Sequence, residues 1–274
     1  MNPVFLEEEA GWLEKRGEVL SKLGKSIVSN VGTILIFIGI IVLIILAAYF
    51  SQKLIDRKKG IDSKSEKIKV NRITIIAMFS AIAVILNLFS IPLGFAPSFY
   101  KADLSELPVI IGTFTLGPAV GVTIETVKIL LNILINGTST AFVGEIANFA
   151  MGCAYVVPAG IIYYYRKTRR NAAVGLIAGV IIGVVAGAFL NAFLLLPVYA
   201  KVFHLPIEEL IAKGTEKNSL ISGMTTFILL AVVPFNLIKY GAVSLITMLI
   251  YKPVSRILKG SGTGTSTARK AREA

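Results

Sequence analysis

GVTIETVKILLNILING, residues 121–137, is apolar enough to lie in lipid, yet it carries Glu125 and Lys128 in its middle. Translocon-based scales put the cost of an Asp, Lys or Arg at the centre of a membrane helix at about 2.5–3.5 kcal/mol. Glu125, Lys128, Asn132 and Asn136 stand three or four positions apart and so share one helix face. That face belongs against a protein interior, a polar cavity or a bound ligand. Glu125 and Lys128 can neutralise each other, so a structural ion pair and a cavity-lining pair are both open from the sequence.

The same pattern recurs outward along the chain. FVGEIANFAMG (142–152) places Glu145 and Asn148 one turn apart. FLNAFLLLPVY (189–199) holds Asn191, and PFNLIKY (234–240) holds Asn236, Lys239 and Tyr240 behind Pro234, which can kink a helix and free a carbonyl. Lys239 lies too deep in its segment for snorkelling to be the better reading, so it is expected to face a cavity. The loop IPLGFAPSFYKADLSELP (91–108) combines prolines, aromatic residues and the polar set Lys101, Asp103, Ser105 and Glu106. Prolines restrict such a loop, and aromatic faces can stack on a flat ligand.

Composition agrees with a membrane protein. Apolar residues make up 55% of the 274, and the mean hydropathy is +0.76. The net charge of +12 is gathered in Lys53–Arg72, Arg166–Arg170 and Lys252–Arg272, each beside an apolar run. Basic segments in those places mark cytoplasmic loops rather than a nucleic-acid surface. The single cysteine, Cys153, excludes an intrachain disulfide and reads as a small packing residue.

VGTILIFIGIIVLIILAAYF (31–50) is long enough to span, and about 30 residues including Glu7, Glu8 and Glu9 precede it. It reads as a retained transmembrane helix rather than a signal peptide. Residues 1–30 form an extracellular segment with helical spacing of Phe5, Trp12, Leu13, Leu20, Leu23 and Ile27, and residues 51–71 a basic cytoplasmic linker. Further apolar segments run over about 73–91, 107–117, 119–135, 141–165, 172–197 and 220–250. Gly117-Pro118 separates the second from the third, as a broken element or as two helices with a tight turn. The expected fold is an all-α integral membrane protein with a six-helix domain at 72–257 and one additional N-terminal helix. Loops at 51–71, 166–171 and 251–274 fall inside, and those near 92–106, 136–140 and 198–219 outside. The N-terminus is then outside and the tail, 258–274, is a disordered cytoplasmic end.

Motifs of enzymes are missing. Gly24-Lys25-Ser26 has Val19 where a P-loop needs its first glycine, and neither HExxH nor GxSxG occurs. His204 stands in an expected outer loop without a clear partner.

The strings PSFYKADLSELPVIIGTFTLGPAVGVTIETVKILLNIL, GEIANFAMG, NAFLLLPVY and VPFNLIKYG together resemble the riboflavin-specific substrate-binding subunit (S component) of energy-coupling-factor (ECF) vitamin transporters, over residues 72–257. The resemblance implies a six-helix core with cytoplasmic ends, a riboflavin pocket open to the outside, no cofactor, and partners in a transmembrane coupling subunit and a pair of ATPase subunits. It places the contact with the coupling subunit on the small-residue pair Ala77 and Ala81. The helix at 31–50 departs from the family core. For a flavin, Asn191 and Lys239 suit the ring edge, followed by Asn148 and Glu145, with Asp103 and Ser105 for the ribityl chain or the loop; Lys128 and Asn132 complete the candidate set. An S component for thiamine, folate or pantothenate, or a membrane enzyme using Glu125 or Glu145, are the alternatives.

Overall fold

The computed structural model describes residues 31–60, 66–97, 99–138, 142–203 and 205–260, and they are predominantly helical. The expectations for residues 1–30, for His204 and for the tail beyond 260 lie outside the described residues. The elements are α1 (Val31–Lys58), α2 (Glu66–Leu88), β1 (Ile91–Pro92), β2 (Lys101–Ala102), α3 (Glu106–Leu116), α4 (Pro118–Asn136), α5 (Val143–Tyr165), α6 (Arg169–Leu190), α7 (Leu196–Phe203), α8 (Ile207–Thr215), α9 (Met224–Phe227) and α10 (Val233–Gly260). A wide π turn, Asn191–Leu195, joins α6 to α7, and another, Ile228–Val232, joins α9 to α10. With each continuous rod counted once the described residues form eight helices, where seven were expected for the chain. The extra one is α8, inside what the sequence offered as the loop 198–219.

Among the described residues, four rods are long and apolar enough to cross a membrane: Pro118–Asn136, Val143–Tyr165, Arg169–Ala200 and Met224–Val254. Arg72–Leu88 and Glu106–Leu116 are shorter apolar helices. An apolar belt of Ile177, Ile181, Val185, Phe189, Leu245 and Leu249 stays exposed on α6 and α10, as a lipid-facing surface requires.

The break at 117 is two helices and not one bent rod. Gly117 has φ +106°, a left-handed value that a side chain disfavours, and Pro118 opens α4 at the position where its missing N–H costs nothing. The exposed helix ends are capped from a distance. Gln52 of α1 donates from Nε2 to the Leu116 carbonyl (3.0 Å) and accepts from the Ala119 N–H (2.9 Å). The helix of the apolar run therefore does not stop at residue 50. It continues to Lys58, and α2 begins at Glu66, so most of the expected linker 51–71 is helical. Below Gln52, Asp56 accepts from the Tyr164 hydroxyl (2.8 Å) and Lys59 donates to the Tyr164 carbonyl. Above it, Ala48 packs with Val122, Ile129, Phe149 and Cys153. The additional helix is thus docked on α4 and α5, and Cys153 has the packing role expected of it.

A stripe of small residues on α6 went unread in the sequence: Gly175, Gly179, Gly183 and Gly187, four apart. A Cβ on Gly179 would stand 2.5 Å from the Tyr155 carbonyl oxygen, and one on Gly175 2.7 Å from that of Ala159. The stripe lets α6 lie directly on α5, the tightest helix pairing expected without a hydrophobic drive between helices. Further along the stripe, Gly183 receives the ring of Tyr240, which stacks on Tyr155 at 4.8 Å, and Gly187 receives Asn236.

Candidate binding cavity

A cavity of about 220 Å³ opens at the end of the bundle where the β1–β2 hairpin, the last turns of α4 and the first turns of α5 gather. Asp103, Asn132, Glu145, Asn148, Asn191 and Lys239 all line it. Those are six of the eight residues named from the sequence, brought from the hairpin loop, α4, α5, the first π turn and α10. Ser105 and Lys128 do not line it. Both are fully buried beside it, and Lys128 Nζ contacts Glu106 Oε1 at 2.9 Å, Glu125 Oε1 at 2.6 Å and Ser105 Oγ at 3.3 Å. The two helices α3 and α4 meet around this cluster, so Glu125 and Lys128 are the structural pair, with Glu106 as its third member.

Lys239 pairs with neither Glu125 nor Glu145 directly. Its Nζ donates to Asp103 Oδ2 at 3.2 Å, with both side chains almost fully buried. Asp103 also receives the Ser105 N–H (2.8 Å), which shapes the entry to α3. Burial alone would raise the Asp103 carboxyl. The Lys239 and Lys128 ammonium groups and the Ser105 hydrogen bonds outweigh it and hold the group below its ordinary value. Asp103 is therefore an anion on the cavity wall.

Asn191 donates from Nδ2 to the Gly187 carbonyl (2.7 Å) and accepts the Tyr100 hydroxyl on Oδ1 (2.5 Å). One N–H of its amide and one lone pair of its oxygen remain to serve another molecule. The π turn that begins at Asn191 precedes Pro197, and the second π turn precedes Pro234. Each proline removes one backbone donor, and the widened turn before it accommodates the loss. Pro234 thus acts through a π turn where a simple kink was expected. Asn236 bonds back to the Val232 carbonyl (2.9 Å) and Tyr240 packs in the core, so of the PFNLIKY polar residues Lys239 alone faces the cavity.

The aromatic wall is the part that sequence reading named only loosely. Tyr100 lies 4.7 Å from Phe99, 5.2 Å from Phe235 and 6.2 Å from Phe227 between ring centres, and Tyr199 completes the group 6.5 Å from Phe99. Phe99 and Tyr100 stood in the singled-out loop, but Tyr199 and Phe235 gave no local signal separating them from lipid-facing aromatics. Asn87 and Ser90, at the end of α2, also line the cavity and were not foreseen. Among the described residues no cluster of His, Cys, Asp and Glu is able to hold a metal ion.

Comparison with known proteins gives a consistent result. Residues 71–251 match the family described as ECF transporter, substrate-specific component. The chain is 31% identical over 188 residues to the riboflavin transporter RibU of Staphylococcus aureus, covering 69% of this chain and 92% of that protein. It is 34% identical to RibU of Streptococcus thermophilus over 193 residues, 68% of this chain and 84% of that one. The riboflavin transporter FmnP of Bacillus subtilis is 28% identical over 184 residues, 67% and 91% of the two chains. A solved structure reported as "Structure and mechanism of the S component of a bacterial ECF transporter" superposes with a TM-score of 0.56 at 30% identity, over 70% of this chain and 99% of that chain.

Proposed function

Since the chain belongs to the substrate-specific components of ECF transporters, we propose that it captures riboflavin at the cavity described above and hands it to an ECF module for ATP-driven uptake. The family is a transporter subunit and not an enzyme, which removes the membrane-enzyme alternative. Riboflavin is the cargo, not a cofactor. The observation that carries the reading is the convergence of six polar residues, from five separate elements, and an aromatic wall on one cavity.

The chemistry fits a flavin. The pyrimidine edge of an isoalloxazine presents acceptor, donor, acceptor, and the Asn191 amide both donates and accepts. Lys239 supplies a charged donor for a ring carbonyl or nitrogen. Phe99, Tyr100, Tyr199 and Phe235 offer faces for the flat ring, and Asn148, Glu145, Asn132 and Asp103 offer polar atoms for the edge and the ribityl hydroxyls. Ser105 keeps only the second of its expected roles, holding the loop. The volume of about 220 Å³ is below the roughly 300–1,000 Å³ usual for small-molecule sites. Admission therefore requires Tyr100 and its loop to swing out, surrendering the bond to Asn191 Oδ1 to the ligand.

In the bilayer, the four long rods cross, α2 and the short α3 complete the core between them, the cavity faces outward, and the N-terminus of α1 lies outside. The opposite end, with Lys53–Lys59, Arg166–Arg170 and Lys252, is cytoplasmic by its charge. Ala77 and Ala81 are both exposed on α2, and α1, docked on α4 and α5, leaves that face open to a transmembrane coupling subunit, which works with an ATPase pair.

Two measurements test this. Purified protein in detergent should bind riboflavin without ATP and quench its fluorescence through the aromatic wall; no quenching at micromolar protein and no heat in calorimetry ends the riboflavin assignment. Ala77→Leu or Ala81→Leu should weaken co-purification with the coupling subunit and leave flavin binding intact. Loss of flavin binding with assembly preserved would reverse the assignment of that face.

A further inference from the structure

A second opening lies at the basic end of the bundle. α1 and α2 both pack on α4 but scarcely touch each other, and a groove of about 580 Å³ separates them. Tyr49, Lys53, Asp56 and Arg57 line it from α1, Arg72 from α2, and Thr123 from α4. Three cations thus face one carboxylate. Asp56 is already engaged by the Tyr164 hydroxyl at 2.8 Å and Gln52 Nε2 at 3.5 Å, and Arg72 Nη2 reaches it only at 4.0 Å. The Arg72 Nε is buried and has no hydrogen-bond partner among the described residues. A buried guanidinium donor without an acceptor is costly, and a bound anion is the simplest group to supply one.

We propose that this groove holds the phosphodiester headgroup of an anionic phospholipid of the cytoplasmic leaflet. Arg72 presents a guanidinium fork to the phosphate, while Lys53 and Arg57, one turn apart on α1, close over it from the solvent side. Basic pockets between membrane helices on the cytoplasmic side suit such headgroups. Above them, Ile76 and the exposed ring of Tyr49 give the groove an apolar upper end suited to the start of the acyl chains. The additional N-terminal helix thereby gains a role: without α1, Arg72 would have no opposing wall. The inference rests on the cytoplasmic placement of this end, not on the identity of the cargo.

The test uses the full chain in nanodiscs of phosphatidylcholine alone or mixed with phosphatidylglycerol, with retained lipid identified by native mass spectrometry. Wild type should keep phosphatidylglycerol in preference to phosphatidylcholine and melt at a higher temperature in the mixed discs. K53Q/R57Q/R72Q should weaken that retention roughly fivefold per charge removed, with riboflavin binding unchanged. Should the triple variant fail to fold, K53Q/R57Q, which alters only exposed side chains, carries the same comparison. Equal retention of both lipids by wild type, or an undiminished preference in the variants, overturns the proposal. Inorganic phosphate added to delipidated protein separates the sources: protection by phosphate equal to that by phosphatidylglycerol makes this a free-anion site and the lipid assignment falls. Riboflavin titration of the same samples reports the cargo assignment separately.

Discussion

Lys128→Met should lower the stability of the ligand-free protein by about 3–5 kcal/mol, read as a fall in melting temperature in detergent. Among the described residues it is the only cation in direct contact with two fully buried carboxyls, Glu106 and Glu125. Breaking a buried pair costs that much because the partner charge stays behind, whereas an exposed pair is worth about 0–1 kcal/mol. Here two buried carboxyl groups stay behind. The cluster is also crowded: Glu106 Oε2 and Glu125 Oε2 have no hydrogen-bond partner among the described residues, and a Cβ on Gly152 would stand 2.7 Å from Glu125 Oε1 and 2.9 Å from Glu106 Oε1. The Glu125 contact at 2.6 Å is close but badly angled for a hydrogen bond. Removing one carboxylate should therefore be cheap. Glu125→Gln leaves one ammonium facing one carboxylate and is expected to be near neutral. The triple change of Lys128→Met with Glu106→Gln and Glu125→Gln should recover most of the lost stability. A Lys128→Met protein that melts with wild type would show that the cluster holds no buried charge.

Why one half of this cluster was readable in the sequence and the other was not follows from distance along the chain. Glu125 and Lys128 are three residues apart, so helix geometry alone joins them. Glu106 stands on another helix, and only the Gly117-Pro118 turn, which folds α3 back against α4, brings it to Lys128. Lys239 and Asp103 are 136 residues apart, and nothing local pairs them. The membrane class was legible because lipid imposes a composition, and the candidate cavity was largely legible because polar residues in apolar runs are costly anywhere else. Features that arise from the fit between elements were not. The π turns need the prolines to be read as widening the preceding turn, and a Gln in a basic segment gives no sign that it caps two helices elsewhere. The stripe from Gly175 to Gly187 was the exception, a local signal that was present at four-residue spacing and overlooked.

Lys239 is where stability and binding overlap, and the pair with Asp103 allows them to be separated. Lys239→Met keeps the apolar stem and removes the ammonium. If Lys239 donates to the flavin edge, the loss of a charge-assisted hydrogen bond of about 1.5–3 kcal/mol should weaken riboflavin roughly ten- to hundredfold. The same change leaves Asp103 unpaired, and at 7% and 3% side-chain exposure for Lys239 and Asp103 this should also destabilise the empty protein. Adding Asp103→Asn removes the stranded charge. Stability should then return while affinity stays below that of the Asp103→Asn single variant, which reports the share of Asp103 itself; a purely structural lysine would leave the two equal. Acid offers an independent reading. The Asp103 carboxyl is held below its ordinary value of about 3.9, so its contribution to stability is fully present above that pH. It is lost only as pH falls through the lower value of the folded state, and Asp103→Asn should abolish that acid step. Full riboflavin affinity in Lys239→Met would take the residue out of the binding site, leaving it as the anchor of the Asp103 loop alone.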